Sequence, residues 1–164
     1  HFFNEEIVGK RFVPAGPDHA QVAALAGIVD YLEALDAHHF DVGDELPPED
    51  RMARLTGLWR AHETELLAPL LEHLDGRDDL RVLGPTDAEA RMPTVSIAGP
   101  RPGAVLAAEL AEHGVMAGGG HFYAYRLIEA MGVDPEDGVL RVSFVHNTSR
   151  EEIERLIGAL EALD

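Results

Sequence analysis

The chain of 164 residues contains no cysteine. This absence excludes disulfide bonds, thiolate metal sites and any reaction that uses a thiol nucleophile within these residues. Lysine is almost absent as well, because Lys10 is the only one in the sequence. Any chemistry that needs a reactive amine would therefore have to use Lys10 or a lysine outside this sequence.

Positive charge is scarce. The sequence has 13 basic against 30 acidic residues and a formal net charge of -17. A nucleic acid or an anionic membrane surface would need a positive footprint, so neither is expected as the main partner. The acidic residues are spread along the chain, which is typical of a feature that favours solubility.

Long hydrophobic runs are absent too. No stretch approaches the ~20 apolar residues of a membrane span and no signal peptide is visible, so a soluble cytoplasmic chain is expected. The sequence starts at His1 rather than methionine, and we therefore expect a fragment or a processed piece. With 46% hydrophobic residues, it can bury one good core.

Two helices are predicted in the first half of the chain. Asp18 is a candidate N-cap, and Gln21 follows three residues later in a capping-box arrangement, after which apolar residues recur with a helical period. A long amphipathic helix is predicted over 49–75, with a kink at Pro69. Residues 1–17 have no helical period and are predicted to form an extended arm.

Short strands and helices alternate after residue 80. The predicted strands are 80–83, 94–97, 115–117 and 139–145, and the predicted helices are 102–113, 122–131 and a last one that begins at a Ser149–Glu152 capping box. This pattern predicts a small mixed sheet with helices packed on it, an α+β fold of the α/β sandwich type. We expect two parts: residues 1–45, the tail of another domain, and residues 46–164, the α+β domain.

A run of three glycines, 118–120, precedes the bunched side chains of His121, Phe122 and Tyr123. Consecutive glycines free the backbone for positive φ and for close approach to another group. In the strand that follows, alternation puts Arg141 on the face opposite Leu140, Val142 and Phe144. A cation fixed in mid-strand is costly without an anionic partner, so Arg141 is a candidate anion-binding residue. A salt-bridged surface arginine is the ordinary alternative.

Several motifs, in this order and spacing, resemble the C-terminal part of class V aminotransferases, and above all the cysteine desulfurase-like group. These are fold-type I enzymes that depend on pyridoxal phosphate. Residues 11–19, Arg-Phe-Val-Pro-Ala-Gly-Pro-Asp-His, are similar to the segment before the last helix of the large domain. Residues 120–124, Gly-His-Phe-Tyr-Ala, resemble the Gly-His-His-Cys-Ala loop of the group. Residues 140–143, Leu-Arg-Val-Ser, with Asn147-Thr148 and Glu151-Glu152, resemble the final strand and helix.

The resemblance implies roles for four residues. Arg141 would grip the α-carboxylate of an amino-acid substrate, for which a bidentate guanidinium is well suited. His121 and Tyr123 would lie on the loop over the active site. Gly16 would belong to the loop that reaches the cofactor phosphate of the partner subunit. The first 45 residues would be the arm and last helix of the cofactor-binding large domain, and residues 46–164 the C-terminal small domain of a homodimeric enzyme.

The departures from the family pattern limit the reaction. Tyr123 stands where desulfurases carry their sulfur-accepting cysteine, so standard desulfurase chemistry is not expected. Gly16 stands where the family has threonine. The family's catalytic lysine lies upstream of the segment at 11–19, so Lys10 does not correspond to it. The missing N-terminal half would supply that lysine, and the chain alone is expected to be inactive.

Two other interpretations stay open at this point. The chain could be a stand-alone α+β interaction or regulatory domain whose acidic helices bind a partner. It could also hold a metal, although the candidate ligands lack the spacing of a helical zinc site, and no metal ligand is predicted. Those candidates are His38, His39, Asp41, His62, Glu63 and His73.

Overall fold

The computed structural model describes residues 6–8, 18–40 and 46–163. The chain divides into two compact units, His1–Leu55 and Thr56–Asp164. Most of the predicted arm, including Lys10 and Gly16, lies outside the described residues. No helix in the described ranges is long and apolar enough to cross a membrane.

The first unit contains helix α1 (His19–His39) and the start of helix α2 (Pro48–Asp75). The predicted N-cap is confirmed, because the Asp18 carboxylate accepts hydrogen bonds from the N–H groups of Ala20 and Gln21 at 3.0 and 3.2 Å. Helix α2 begins within one residue of its predicted start and continues through Pro69.

A buried ion pair lies in this unit. Asp36 is only 6% exposed, and two nitrogens of the Arg54 guanidinium donate to its two carboxylate oxygens, each at 2.5 Å. The Arg54 Cζ also lies 4.6 Å from the centroid of the Phe40 ring. Hydrogen bonding to Arg54 lowers the pKa of Asp36 below its ordinary value, since it stabilises the charged carboxylate.

The apolar face of α1 is not buried. Its apolar side chains are more than half exposed: Val22 57%, Leu25 58%, Ile28 55% and Val29 54%. An amphipathic helix of a folded protein normally covers such a stripe with other apolar groups. Among the described residues, these four side chains are not covered in this way.

The second unit is built on a four-stranded sheet. The strands, in chain order, are β1 (Arg81–Leu83), β2 (Thr94–Ala98), β3 (Gly118–Gly120) and β4 (Val139–Ser143). The helices are α3 (Gly103–Glu112), α4 (Tyr125–Ala130) and α5 (Arg150–Glu161), with a short 3₁₀ helix at Ala88–Ala90.

The spatial order of the strands is β1-β2-β4-β3, and every neighbouring pair is antiparallel. The prediction of a mixed sheet is therefore wrong. Strands β2 and β3, which α3 connects, point the same way, but β4 lies between them, so no parallel pair forms. The α+β fold class itself is confirmed.

The two faces of the sheet differ sharply. One face packs on α2, α3 and α5 and forms the main core, to which the sheet contributes Val95, Ile97, Leu140 and Val142, and Phe144 is added by the residue after β4. The predicted alternation along β4 is thus confirmed. The opposite face is only partly covered, by a small cluster of Leu83, Ile128 and Val139 under α4.

Two predicted elements around the glycine run are displaced. The strand is Gly118–Gly120 rather than 115–117, and the helix starts at Tyr125 rather than at residue 122. Phe122 and Tyr123 have φ values of 49° and 62°, and a right-handed helix cannot include such residues. The predicted capping box of α5 is confirmed, with both the Ser149 and the Glu152 side chains bonded to the other's backbone N–H.

Candidate functional site

Arg141 lies in the middle of the sheet. It sits on β4, with Ser96 of β2 as its Cα partner on one side and Gly118 of β3 on the other. The core face of β4 is occupied by Leu140 and Val142, so the guanidinium emerges on the opposite face. A position between two neighbouring strands restricts where this side chain can move.

The Phe122 ring covers one face of the guanidinium. The Arg141 Cζ lies 3.8 Å from the Phe122 ring centroid, which is a close cation–π contact. A Cβ on Gly118 would come within 3.0 and 3.1 Å of this ring, so the missing side chain at Gly118 gives the ring its room. Stacking occupies a face of the planar group and leaves the N–H donors at its edge free.

Arg141 has no acidic partner in the ranges that the structure describes. The ion pairs found there all involve other residues, and the Arg141 guanidinium makes no hydrogen bond to a described group. A half-buried cation with free edge donors and an aromatic ring on its face is suited to bind a carboxylate in a bidentate manner.

The segment 118–124, which we call the flap, turns sharply around His121. The Tyr123 N–H donates to the His121 Nδ1 at 3.1 Å, and the Ala124 N–H donates to the His121 carbonyl at 2.8 Å. These bonds hold Phe122 and Tyr123 at positive φ, a conformation that costs about 1–3 kcal/mol for each residue that is not glycine. The strain is offset locally by these two bonds and by the stacking of Phe122 on Arg141.

A pocket of about 310 Å³ lies between the flap, α4 and the polar face of the sheet. Arg141 and His121 both line it, and Ser96 adds a hydroxyl beside the guanidinium. The other lining side chains are apolar, and Gly84 has none. The apolar ones are Leu83, Phe122, Ala124, Leu127, Ile128, Met131 and Val139.

The structure brings together two of the four residues singled out from the sequence. Arg141 and His121 share the pocket, whereas Tyr123 is fully exposed and does not line it. The His121 and Tyr123 ring centroids are 6.3 Å apart. Gly16 lies outside the described residues. The functional roles of all four remain predictions.

Sequence reasoning missed Phe122 and Ser96 as parts of this site. The sequence predicts that Phe122 starts a helix, and that prediction gives no indication of its stacking on Arg141. Ser96 could have been placed on the Arg141 face, because Val95 and Ile97 alternate with it. That inference would have needed the pairing of β2 with β4, which the sequence does not reveal.

The remaining motif residues at the start of α5 have structural roles. The Thr148 Oγ1 accepts a hydrogen bond from the Val145 N–H at 3.3 Å, and the Thr148 carbonyl lies 2.8 Å from the His62 Nε2. His146 stacks on Trp59, with ring centroids 4.8 Å apart. No group of three or more histidine, aspartate or glutamate side chains that could hold a metal occurs in the described ranges, and Asp41 lies outside them.

A sequence model of the family described as aminotransferase class-V matches residues 57–156. Two relatives are an aminotransferase-like protein, FGM3, of Gibberella zeae, 36% identical over 61% of this chain, and a probable cysteine desulfurase of Pseudomonas putida, 29% identical over 92% of it. The matches cover 26% and 31% of those proteins. The chain thus spans about a third or less of the length of the curated relatives it matches.

Solved structures agree with this relationship. The apo structure of a cysteine desulfurase from Thermococcus onnurineus is 30% identical and superposes with a TM-score of 0.57, covering 64% of this chain and 26% of that one. A NifS-like protein from Rickettsia africae, 19% identical, has a TM-score of 0.55 over 68% of this chain and 30% of its own, which shows the shared fold alone. Together with the match over residues 57–156, these findings show that the chain belongs to the aminotransferase class-V family and is cysteine desulfurase-like.

Proposed function

We propose that this chain is the substrate-carboxylate-binding part of a pyridoxal-phosphate-dependent enzyme that acts on an amino acid. The observation that carries the proposal is Arg141, a pocket-lining cation whose face is stacked on Phe122. In this proposal, the free edge of the guanidinium binds the α-carboxylate with two parallel N–H···O bonds. His121 and Tyr123 on the flap face the substrate when the site is complete.

The surroundings of Arg141 favour a ligand over a structural ion pair. A structural arginine normally finds its hydrogen-bond acceptors within the fold, as Arg54 does in the Asp36 carboxylate and Arg60 does in backbone carbonyls. Arg141 has no such partner in the described part of the chain, although 30 acidic residues are available in the sequence. A bound carboxylate would supply the missing negative charge.

The rest of the active site is proposed to lie in protein outside these residues. The chain covers about a quarter to a third of its relatives, and the apolar face of α1 is exposed. Both observations support the division in which residues 1–45 end a large domain and residues 46–164 form a small one. A missing N-terminal half would then cover α1, and the homodimer follows from the resemblance to the family.

The described residues do not suffice to hold the cofactor. Members of this family use pyridoxal phosphate in general, and the cofactor supplies the electron sink for chemistry at the carbon that bears the amino group. The described ranges contain no lysine, so this part of the chain cannot anchor it covalently. The contribution of these residues is to bind the carboxylate and to fix the orientation of the substrate.

The reaction is proposed to differ from standard cysteine desulfuration. These residues carry no thiol, and the exposed phenol of Tyr123 cannot accept sulfur in its place. Transamination, elimination and epimerisation are all compatible with the binding of the substrate carboxylate by Arg141, which we call the carboxylate clamp. A sulfur-removing reaction would need a sulfur acceptor outside these residues.

The test compares two arginines in the full-length protein. Arg141→Gln removes the clamp, whereas Arg126→Gln removes an exposed arginine on α4 that does not line the pocket. We expect Arg141→Gln to weaken carboxylate binding by roughly 10- to 100-fold, because a hydrogen bond to a charged group contributes about 1.5–3 kcal/mol. Arg141→Lys should retain part of the affinity, since it keeps the charge but loses the fork.

Equal dissociation constants for the Arg141→Gln and Arg126→Gln proteins would refute the proposal. The alternative, a stand-alone interaction domain, makes a different prediction: no carboxylate dependence at Arg141 and binding of a macromolecular partner through the acidic helices. Calorimetric titration with small carboxylates separates the two.

A further inference from the structure

We propose that the pocket beside Arg141 selects substrates with an apolar side chain, aliphatic or aromatic, over those with a short or an acidic one. This inference rests on the proposed function, because it takes Arg141 as the residue that binds the carboxylate. It adds what the resemblance to the family does not supply, namely the chemical class of the group attached to that carboxylate.

The composition of the pocket wall favours an apolar ligand. Apart from Arg141, Ser96 and His121, every side chain that lines the pocket is a hydrocarbon, an aromatic ring or a thioether. No carboxylate lines it. A site with one cation and an apolar remainder matches a ligand with one anionic end and an apolar body.

The apolar groups of the wall lie close to the cation. Phe122 stacks on the guanidinium and lines the same pocket, so the apolar wall begins at the clamp itself. Leu127, Ile128 and Met131 continue this wall along α4 and its C-terminal end. A ligand whose carboxylate binds the edge of the Arg141 guanidinium would therefore have its own side chain beside carbon atoms rather than water.

The size of the pocket fits a small ligand. The pocket volume of about 310 Å³ is at the lower end of the range of ~300–1,000 Å³ that is typical of small-molecule sites. It is large enough for a single amino-acid side chain. The amino acids that fit both the size and the wall are those with branched aliphatic or aromatic side chains.

One apolar side chain of the pocket wall is largely exposed. Leu127 is 60% exposed although it lines the pocket. Covering an exposed apolar side chain with a ligand removes it from water and favours binding. Leu127 is therefore the lining residue whose replacement should change ligand selectivity without disturbing the core.

The experiment uses the full-length protein and a series of carboxylates that lack the amino group, so that the cofactor plays no part in their binding. The probes are propanoate, 4-methylpentanoate, 3-phenylpropanoate and glutarate, with the neutral 4-methylpentanamide as a control. Dissociation constants are measured by NMR titration. Each buried methylene should tighten binding by about 4-fold, so we expect 4-methylpentanoate and 3-phenylpropanoate to bind ~10-fold or more tightly than propanoate, and glutarate to gain nothing.

Two variants locate the effect. Leu127→Ser should reduce the ratio of the propanoate and 4-methylpentanoate dissociation constants by about 3-fold or more. Val105→Ser is the matched control, because Val105 is 42% exposed on α3 and does not line the pocket. It should leave the ratio unchanged.

The outcomes separate this inference from the proposed function. If Arg141→Gln weakens all carboxylates but propanoate binds as tightly as 4-methylpentanoate, the carboxylate clamp stands and the apolar selectivity is refuted. If Arg141→Gln leaves every carboxylate unchanged, or if no carboxylate binds, the proposed function is refuted and the inference with it. If Leu127→Ser and Val105→Ser have equal effects, the selectivity does not arise in this pocket and the inference is overturned.

Discussion

Gly119 is a residue of the flap at which a single added methyl group should severely disturb the packing of the site. It lies on β3, against the start of α3. A Cβ at this position would lie 2.3 Å from the Ala104 Cα, the Ala104 N and the Gly103 carbonyl carbon. All three are backbone atoms at the start of α3, so no side-chain rotation can relieve the overlap.

The size of the effect follows from this geometry. Non-bonded carbon atoms normally stay about 3.5 Å or more apart, so α3 would have to move away from β3 by roughly 1 Å. The same helix start also packs closely on β4, because a Cβ on Gly103 would lie 2.2 Å from the Val139 carbonyl carbon. Moving α3 would also displace Leu106 and Leu110, which are 1% and 0% exposed in the core.

We expect Gly119→Ala to destabilise the protein by about 3 kcal/mol or more, at the upper end of the usual cost of overpacking. For a unit of this size, that corresponds to a fall in Tm of at least ~12 °C. Urea unfolding followed by circular dichroism, together with a thermal melt, measures both quantities.

Gly158→Ala is the matched control. Gly158 lies within α5, and a Cβ there would have nothing within 4 Å. Alanine in a helix interior is favoured over glycine by about 0.8–1 kcal/mol, so this variant should be slightly more stable than the wild type. If Gly119→Ala stays within ~0.5 kcal/mol of the wild type, the close packing of α3 on β3 is not real and the placement of the flap fails with it.

Three further predictions concern single side chains. Ser149→Ala should destabilise the protein by ~1 kcal/mol through loss of the α5 N-cap, measured by urea unfolding, and an unchanged midpoint would contradict the role of the capping box. The folded-state pKa of Asp36 is lowered, so its contribution to stability is present above its unfolded pKa of ~3.9 and is lost as the pH falls through the folded value. The difference in stability between the wild type and Asp36→Asn should therefore be constant above about pH 5 and shrink in acid, and a difference that does not vary with pH would refute this. Gly118→Ala should displace the Phe122 ring from Arg141 and weaken carboxylate binding by a few-fold, because a cation–π contact contributes ~0.5–2 kcal/mol, and unchanged binding would show that the stacking does not orient the clamp.

Much of the second unit could be predicted because its signals are local. Ser149 and Glu152 indicate a helix start, because their capping hydrogen bonds lie within one turn. The alternation of side chains around Arg141 follows from strand geometry alone. The prediction that the glycine run allows positive φ and close approach of its backbone to another group is confirmed. The two properties belong to different residues, since Gly120 has φ 136° and Gly119 lies against α3.

The parts that failed depend on contacts between segments far apart in the sequence. The antiparallel order of the sheet is set by the insertion of β4 between β2 and β3, which no local pattern encodes. The shift of β3 from 115–117 into the glycines has the same origin, because only residues without a side chain can lie so close to α3. The positive φ of Phe122 and Tyr123 could not be foreseen either, since these residue types rarely adopt it.

The exposed stripe on α1 shows the limit of periodicity as evidence. The helical spacing of Val22, Leu25, Ile28 and Val29 correctly predicted a helix. The same spacing places them on one apolar face, yet these side chains are more than half exposed. The period of the apolar residues defines which face of a helix can be buried, but burial also needs another apolar surface that packs on that face.

The central claim is that Arg141 binds the substrate carboxylate through the edge of its guanidinium. The most direct measurement is the Arg141 Nε–H resonance of the full-length protein, assigned by its loss in Arg141→Gln and followed during titration with 4-methylpentanoate. The account predicts a saturable downfield shift of this resonance, because the Nε–H becomes a donor to a charged oxygen, while the Arg126 resonance stays in place. A titration that saturates elsewhere in the protein and leaves the Arg141 Nε–H unmoved would contradict it.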